Sequence, residues 1–125
     1  MLAQIEQARV SAMARGSAWD FEINELTAFV SMHREKGADT RYLLRIRFDD
    51  FDRRAPSYVF VNAETREPDA AAWPPNVMHS EWKICTPGTR EFHEEIHQND
   101  AQYVWDSNKY TVIATLRMIQ RLMDS

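Results

Sequence analysis

Apolar residues recur at intervals of three and four near both ends of the chain. In residues 2–15 they are Leu2, Ile5, Ala8 and Ala12. In residues 109–123 they are Val112, Leu116, Ile119 and Met123. Because one helical turn takes 3.6 residues, each set lies along one face of a helix. The pattern predicts an N-terminal helix over residues 2–15, ended by Gly16, and a C-terminal helix over residues 109–123.

Between these segments the apolar residues alternate with polar ones, which is typical of strands. The pattern predicts strands over residues 19–33, 41–48 and 58–61, with a turn at Gly37 to Thr40. In the second strand, Leu44, Ile46 and Phe48 point to one face, and Arg45 and Arg47 point to the other. The links between strands are too short for crossover helices, so we expect an antiparallel β-meander.

The rest of the chain has weaker patterns. Residues 62–80 are predicted to be irregular, because Pro68, Pro74 and Pro75 lack the N–H group that a central strand needs. Residues 89–104 are compatible with a helix. The predicted order is helix, antiparallel strands, long ordered loop and helix, in one domain over residues 1–125. This order indicates an α+β domain with both helices packed on a curved sheet.

Composition narrows the function classes. Hydrophobic residues make up 44% of the chain, charged residues make up 27%, and the net charge is −4. Five arginines between residues 41 and 54 are interleaved with aspartates, which indicates a solvated face of mixed sign and no nucleic-acid surface. No apolar run is long enough for a membrane span. With one cysteine and no export signal, we expect no internal disulfide, no membrane partner and a reducing cytoplasmic location.

Cys85 is the first candidate for chemistry. A thiolate is a strong nucleophile, and its thioesters are activated acyl donors. The alternative is an inert buried thiol, since free cysteine behaves as a small hydrophobe. Cys85 follows a proline-rich loop and precedes Pro87 and Gly88, and loops on rigid scaffolds tend to carry function. We therefore predict that Cys85 is a functional nucleophile.

A segment rich in histidine and glutamate follows the cysteine. If residues 91–97 are helical, His93 and His97 lie on one face with Cβ atoms about 5–6 Å apart. Their spacing matches the H-E-x-x-H zinc-peptidase motif, but a short motif arises by chance and the chain is small for a peptidase cleft. A more plausible Zn²⁺ site adds Cys85 and Glu91 or Glu94 as ligands. The alternative is a solvated helix face.

The remaining candidates have structural explanations beside functional ones. Asn76 either donates a hydrogen bond to a developing oxyanion or ties its own loop together. The tryptophans Trp73, Trp82 and Trp105 are predicted to anchor the core. His33 and His79 are isolated and are predicted to be surface or loop residues.

In this order the motifs resemble those of ubiquitin-conjugating (E2) enzymes, which have the UBC fold. Residues 42–61 resemble the central meander of that family. The sequence Trp-Pro-Pro-Asn at residues 73–76 stands where the family has its His-Pro-Asn tripeptide, and Cys85 stands where it has its catalytic cysteine. Trp105 and the helix after it resemble the Trp and helix that follow the family's active site. The likeness covers residues 1–123.

The resemblance implies a mechanism and partners. Cys85 would receive the C-terminal carboxyl group of a ubiquitin-like protein from an E1 adenylating enzyme as a thioester. A lysine amine of a protein target would then attack this thioester, with Asn76 supporting the oxyanion. His93 or His97 would lower the thiol pKa or deprotonate the amine. The reaction needs no cofactor.

Several positions depart from the family pattern. Pro74 replaces the family's histidine, and the spacing from Asn76 to Cys85 is one residue longer. The segment between Cys85 and Trp105 is longer than in compact members. The chain is also predicted to be truncated after the second main helix. These departures indicate a divergent bacterial E2-like protein.

A second resemblance involves a metal. Bacterial operons for ubiquitin-like conjugation include a small predicted metal-binding family named for a Cys-Glu-His-His set. Cys85, Glu91 or Glu94, His93 and His97 match that order. The sequence thus leaves two hypotheses, an E2-like acyl carrier and a non-catalytic Zn²⁺ module. Both imply bacterial ubiquitin-like conjugation, with antiphage defence as one such setting.

Overall fold

The computed structural model describes residues 1–15, 19–35 and 40–125. Two α-helices lie at the ends of the chain, α1 (Leu2–Ala14) and α2 (Val112–Asp124). Between them come the strands β1 (Asp20–Asn24), β2 (Thr27–His33), β3 (Arg41–Arg47), β4 (Ser57–Val61), β5 (Met78–Ser80) and β6 (Lys83–Ile84). The structure therefore confirms the predicted α+β class. The predicted helix end at Gly16 and most of the predicted turn at Gly37 to Thr40 lie outside the described residues.

Strands β1 to β4 form an antiparallel sheet in chain order, which confirms the predicted meander. The prediction of one strand over residues 19–33 is wrong, because this segment is a hairpin in which Asn24 pairs with Thr27. The chain turns at Glu25, which has a φ of 55°. A left-handed φ is usually a glycine or asparagine position, and here the asparagine, Asn24, stands one position earlier, so the sequence signal for a turn is weak.

One face of the sheet packs against the helices and forms the core. The predicted inward residues Leu44, Ile46 and Phe48 are buried, with Tyr58 and Phe60 beside them from the next strand. The predicted apolar stripe of α2 is fully buried at Leu116, Ile119 and Met123. At about 25 cal/mol per Å² of apolar surface, each of these side chains stabilises the fold by roughly 1.5–3 kcal/mol.

Two side chains differ from the predicted pattern. Leu2 is exposed, so the apolar face of α1 begins at Ile5. Arg45 is predicted to be solvated but is only 8% exposed. It is buried because the outer face of the sheet is also partly covered, by Phe29 and by the chain that follows β4.

The long segment between β4 and α2 is mostly irregular, as predicted for residues 62–80. It contains short 3₁₀ helices at Ala70–Ala72 and Ala101–Tyr103. Residues 89–104, which are compatible with a helix by sequence, contain a short helical stretch over residues 90–96, with π geometry at Phe92–Ile96, and do not form one continuous helix. Within the described part of the chain, no helix is long and apolar enough to cross a membrane.

Candidate functional site

Cys85 lies at the end of a small β-hairpin. Strands β5 and β6 are antiparallel, and Met78 pairs with Ile84. Ile84 is completely buried in the core, and β6 packs against β4. Cys85 follows Ile84 directly and is half-buried. The hairpin therefore fixes the backbone of the cysteine while leaving part of its side chain accessible.

The loop after Cys85 is held by hydrogen bonds on both sides. The Thr86 N–H donates to the Ile84 carbonyl at 3.1 Å. The Thr89 hydroxyl lies 3.1 Å from the Ile84 carbonyl and 3.2 Å from that of Thr86. Gly88 is buried against α2 with a φ of 107°. These contacts make the segment from Ile84 to Thr89 a closed, well-supported turn.

The thiol of Cys85 is not electrostatically activated. Burial raises its pKa, and no charged group opposes this effect. Within the part of the chain that the structure describes, the sulfur has no hydrogen-bond partner. We predicted that His93 or His97 lowers the pKa of the Cys85 thiol, but the pKa is raised. The thiol of the free protein is therefore protonated at neutral pH.

Asn76 lies at the same end of the hairpin as Cys85. It precedes Met78 by two residues, and the partner of Met78 is the residue before Cys85. Asn76 is exposed and has a φ of 65°, a left-handed conformation that asparagine tolerates better than most residues. No hydrogen bond of its amide is found among the described residues, so the side chain does not tie the loop together.

His93 is a structural residue. It is buried, and its Nε2 accepts a hydrogen bond from the Gly88 N–H at 3.0 Å. An accepting Nε2 requires a neutral ring with its proton on Nδ1, and Nδ1 lies 2.8 Å from the Tyr103 carbonyl. Burial lowers the pKa of His93, which agrees with this neutral form. Both ring nitrogens are occupied, so His93 is not placed to bind a metal or to act as a base.

His97 is placed by the π-helix. Its N–H donates to the Phe92 carbonyl at 2.8 Å, a bond that spans five residues. Its ring lies over Phe92 with a centroid distance of 4.4 Å, and its Nδ1 is 3.4 Å from Asp100 Oδ2. With Arg54, His97 lines an open cleft of about 260 Å³.

The two candidate carboxylates have protein partners. Glu91 is buried and accepts hydrogen bonds from the Ser57 hydroxyl at 2.7 Å and the Tyr58 N–H at 3.1 Å. Burial raises the pKa of Glu91 although these bonds oppose the effect. Glu94 pairs with Arg54 through two hydrogen bonds of 3.0 and 2.7 Å, which lower its pKa.

The predicted metal ligands are not brought together. Among residues 1–15, 19–35 and 40–125, no group of three or more His, Cys, Asp or Glu side chains could hold a metal ion. The physical reason is that His93 and Glu91 direct their ligand atoms to backbone and hydroxyl partners.

The tryptophans are placed in part as predicted. Trp73 is buried and packs on Phe60 with a centroid distance of 5.3 Å, and Trp82 packs against the core with its side chain partly exposed. Trp105 joins the aromatic cluster around His93 and donates from Nε1 to the Asp52 carbonyl at 2.8 Å. His33 lies partly buried in β2, and His79 is exposed in β5. None of these residues contributes a group to the Cys85 turn.

No family model matches this chain, and no curated protein matches it either.

Proposed function

We propose that the protein is an E2-like carrier that holds a ubiquitin-like protein as a thioester on Cys85. The observation that supports this best is the register of the β5–β6 hairpin, which places Cys85 and Asn76 at one end of the hairpin. An acyl-transfer site needs such a pair, a nucleophile and a nearby hydrogen-bond donor. The order of the elements also fits the resemblance to the UBC fold.

The reaction has two steps. In the first, the Cys85 sulfur loses its proton and attacks the thioester carbonyl that joins the ubiquitin-like protein to an E1 enzyme. A new C–S bond forms, the bond to the E1 sulfur breaks, and the E1 thiolate takes up a proton. In the second, a lysine amine of the target attacks the same carbonyl. A C–N bond forms, the bond to Cys85 breaks, and the amine proton balances the departing thiolate.

Asn76 is the oxyanion donor in this scheme. Both steps pass through a tetrahedral intermediate whose oxygen carries a negative charge, and a fixed N–H donor stabilises that charge. The amide of Asn76 is exposed, and its backbone conformation is held in a turn that leads directly into β5. Loss of one such donor typically costs about 10²–10³ in rate.

The raised pKa of Cys85 is compatible with a carrier. A thiol of higher pKa is a poorer leaving group, so its thioester persists longer against water. The disadvantage is that only a small fraction of Cys85 is thiolate in the free protein. The thiol therefore has to be deprotonated when the E1 or the target binds. We therefore do not assign thiol activation to His93 or His97.

His93 has a positioning role in this proposal. Its bond from Gly88 joins the turn after Cys85 to the segment around Tyr103. The Zn²⁺ module is the weaker hypothesis, because the ligand atoms of His93 and Glu91 are already used. The proposed partners are a ubiquitin-like protein, an E1 and a target lysine, in bacterial ubiquitin-like conjugation.

Thioester formation tests the proposal directly. The protein is incubated with ATP, a bacterial E1-like enzyme and the ubiquitin-like protein that this enzyme activates. We expect an adduct whose mass is the sum of the two proteins less one water. Dithiothreitol should remove it. Absence of any adduct in the presence of a charged E1 would overturn the proposal.

Two variants identify the acceptor and the donor. Cys85→Ser should give an adduct that resists dithiothreitol but yields to hydroxylamine, because an ester replaces the thioester. Asn76→Ala should form the same thioester, but both its formation and its discharge to lysine should be about 10²-fold slower or worse. The exposed His79→Ala is the matched control and should behave as the parent. A thiol-sensitive adduct that survives Cys85→Ala would contradict the assignment.

A further inference from the structure

Arg45 is a buried cation on which the charges of Glu67 and Glu91 act, but among the described residues none accepts a hydrogen bond from its guanidinium. It is 8% exposed, and its Nε has no contact with solvent and no hydrogen-bond acceptor. Across residues 1–15, 19–35 and 40–125, no hydrogen bond or ion pair of its guanidinium is found. An arginine cannot neutralise itself by losing its proton. Buried charges are normally hydrogen-bonded, so a buried guanidinium without a hydrogen bond calls for an explanation.

The surroundings of Arg45 form an open concavity on the outer face of the sheet. Arg45 lies in β3 beside Phe29 of β2 and Val59 of β4. The concavity has a volume of about 400 Å³ and lies on the side of the sheet opposite to the helices. It is separate from the Cys85 turn in its lining residues.

The loop after β4 closes one side of the concavity. The Arg66 guanidinium lies 4.4 Å above the centroid of the Phe29 ring and is paired with Glu22. The loop is fixed by reciprocal backbone bonds between Asn62 and residues Arg66 and Glu67, of 2.8 and 2.9 Å. The wall is therefore preorganised and does not have to fold around a ligand.

The charges that line the concavity favour a singly charged anion. Three arginines, Arg45, Arg47 and Arg66, and two glutamates, Glu25 and Glu67, contribute to its walls. Glu22, which pairs with Arg66, brings the local balance of charge to zero, so an anion of the smallest charge is repelled least by the three glutamates. A carboxylate has a single charge and matches the planar fork of a guanidinium in two-point hydrogen bonding. A doubly charged phosphate would leave an excess of negative charge beside these glutamates.

We propose that this concavity is a carboxylate-binding site with Arg45 as its central ligand and Arg47 at its rim. The carboxylate is either that of a small organic acid or that of an acidic side chain in a peptide. Cys85 has no part in this binding, so the carboxylate site and the acyl-carrier function can be tested independently of each other.

NMR titration tests the site without knowledge of the natural ligand. The probes are sodium propionate for a small acid and a blocked tetrapeptide with one glutamate for a peptide-borne group. Sodium chloride at the same ionic strength controls for screening, and the glutamine form of the peptide controls for charge. We expect saturable shifts of the Arg45 Nε–Hε resonance with at least one carboxylate probe. The probe that binds more tightly identifies the source of the carboxylate.

Variants separate binding from folding. Arg47→Gln is an exposed change that should leave the fold intact and weaken binding about threefold or more. Arg45→Met keeps most of the volume and should abolish binding; if it fails to fold, Arg47→Gln still decides the question. Arg53→Gln, at an arginine whose side chain is 84% exposed in another part of the surface, is the matched control and should bind as the parent.

Three outcomes would overturn the proposal. The first is an Arg45 resonance that moves no further with either carboxylate than with chloride. The second is tighter binding of inorganic phosphate than of both carboxylates, since it contradicts the charge argument. The third is an equal loss of affinity in the Arg47 and Arg53 variants, which would indicate general screening.

Discussion

Replacement of Gly88 by alanine should be among the most damaging small changes in this protein. Gly88 has a φ of 107°, a conformation that residues with a side chain rarely adopt. A Cβ at this position would lie 1.9 Å from Thr115 Oγ1 and 3.0 Å from both Cβ and Cγ2 of Thr115. The added methyl group therefore meets the body of α2.

The expected cost has two parts. Holding a non-glycine residue in this region of backbone space costs about 1–3 kcal/mol. Forcing one extra carbon into a packed contact costs about 1–3 kcal/mol more. Thr115 cannot turn away without loss, because its hydroxyl donates to the Thr111 carbonyl at 2.9 Å and also bonds the buried Tyr58 hydroxyl. We expect Gly88→Ala to lower the free energy of unfolding by roughly 4 kcal/mol.

Urea unfolding at pH 7.5 measures this loss, and a second background separates its parts. Thr115→Ala removes Oγ1 and Cγ2, the atoms that cause most of the clash. In that background Gly88→Ala should cost only the backbone part, about 1–3 kcal/mol. The coupling energy between the two positions should thus be about 1–3 kcal/mol.

Two results would refute this reasoning. A loss below about 1 kcal/mol for Gly88→Ala would show that the turn adapts freely. An equal loss with and without the Thr115 side chain would show that α2 is not what the new methyl group meets.

Four further predictions concern three titratable residues, His93, Glu91 and Cys85. Burial lowers the pKa of His93, so its contribution to stability falls as the pH drops below about 6.5. His93→Gln should remove this acid loss in unfolding midpoints, and the exposed His79→Gln should retain it; equal slopes would contradict the assignment. Burial raises the pKa of Glu91, so the parent should lose stability relative to Glu91→Gln as the pH rises above about 4.3. Glu91→Ala should cost about 1–3 kcal/mol in denaturant unfolding, because the Tyr58 N–H loses its acceptor, whereas a neutral result would show that another acceptor replaces it. Alkylation of Cys85 by iodoacetamide should have a pH midpoint above the value of about 8.5 for a free thiol, and a midpoint below 8 would show an activating charge.

The architecture could be predicted from the sequence because its signals are local. The stripe of α2 and the alternation of β3 each depend on residues within one element, and both agree with the structure. Cys85 stood out for a similar reason, since its loop position is set by neighbouring prolines and glycine. The hairpin at Glu25 was missed because the residue with the left-handed φ is a glutamate, and Asn24 stands one position before it.

The candidate site could be predicted only in part. Asn76 and Cys85 were identified from motif order, and the β5–β6 register supplied their common end of the hairpin. The role of His93 could not be chosen from the sequence, because the same imidazole can bind a metal, take a proton or accept a structural hydrogen bond. The tertiary structure favours the structural role, because the Gly88 N–H and the Tyr103 carbonyl occupy the two ring nitrogens.

The sequence by itself determined the two helices, the strands β3 and β4 and the position of the single thiol, because periodicity and turn chemistry are properties of short segments. The tertiary structure alone decided which polar groups are buried and what they contact. Glu91 reaches Tyr58 across 33 residues of chain, and Arg45 is enclosed by a loop that begins after the next strand. Burial and hydrogen-bond partners set the pKa and the chemistry of a side chain, and both arise from contacts between distant segments.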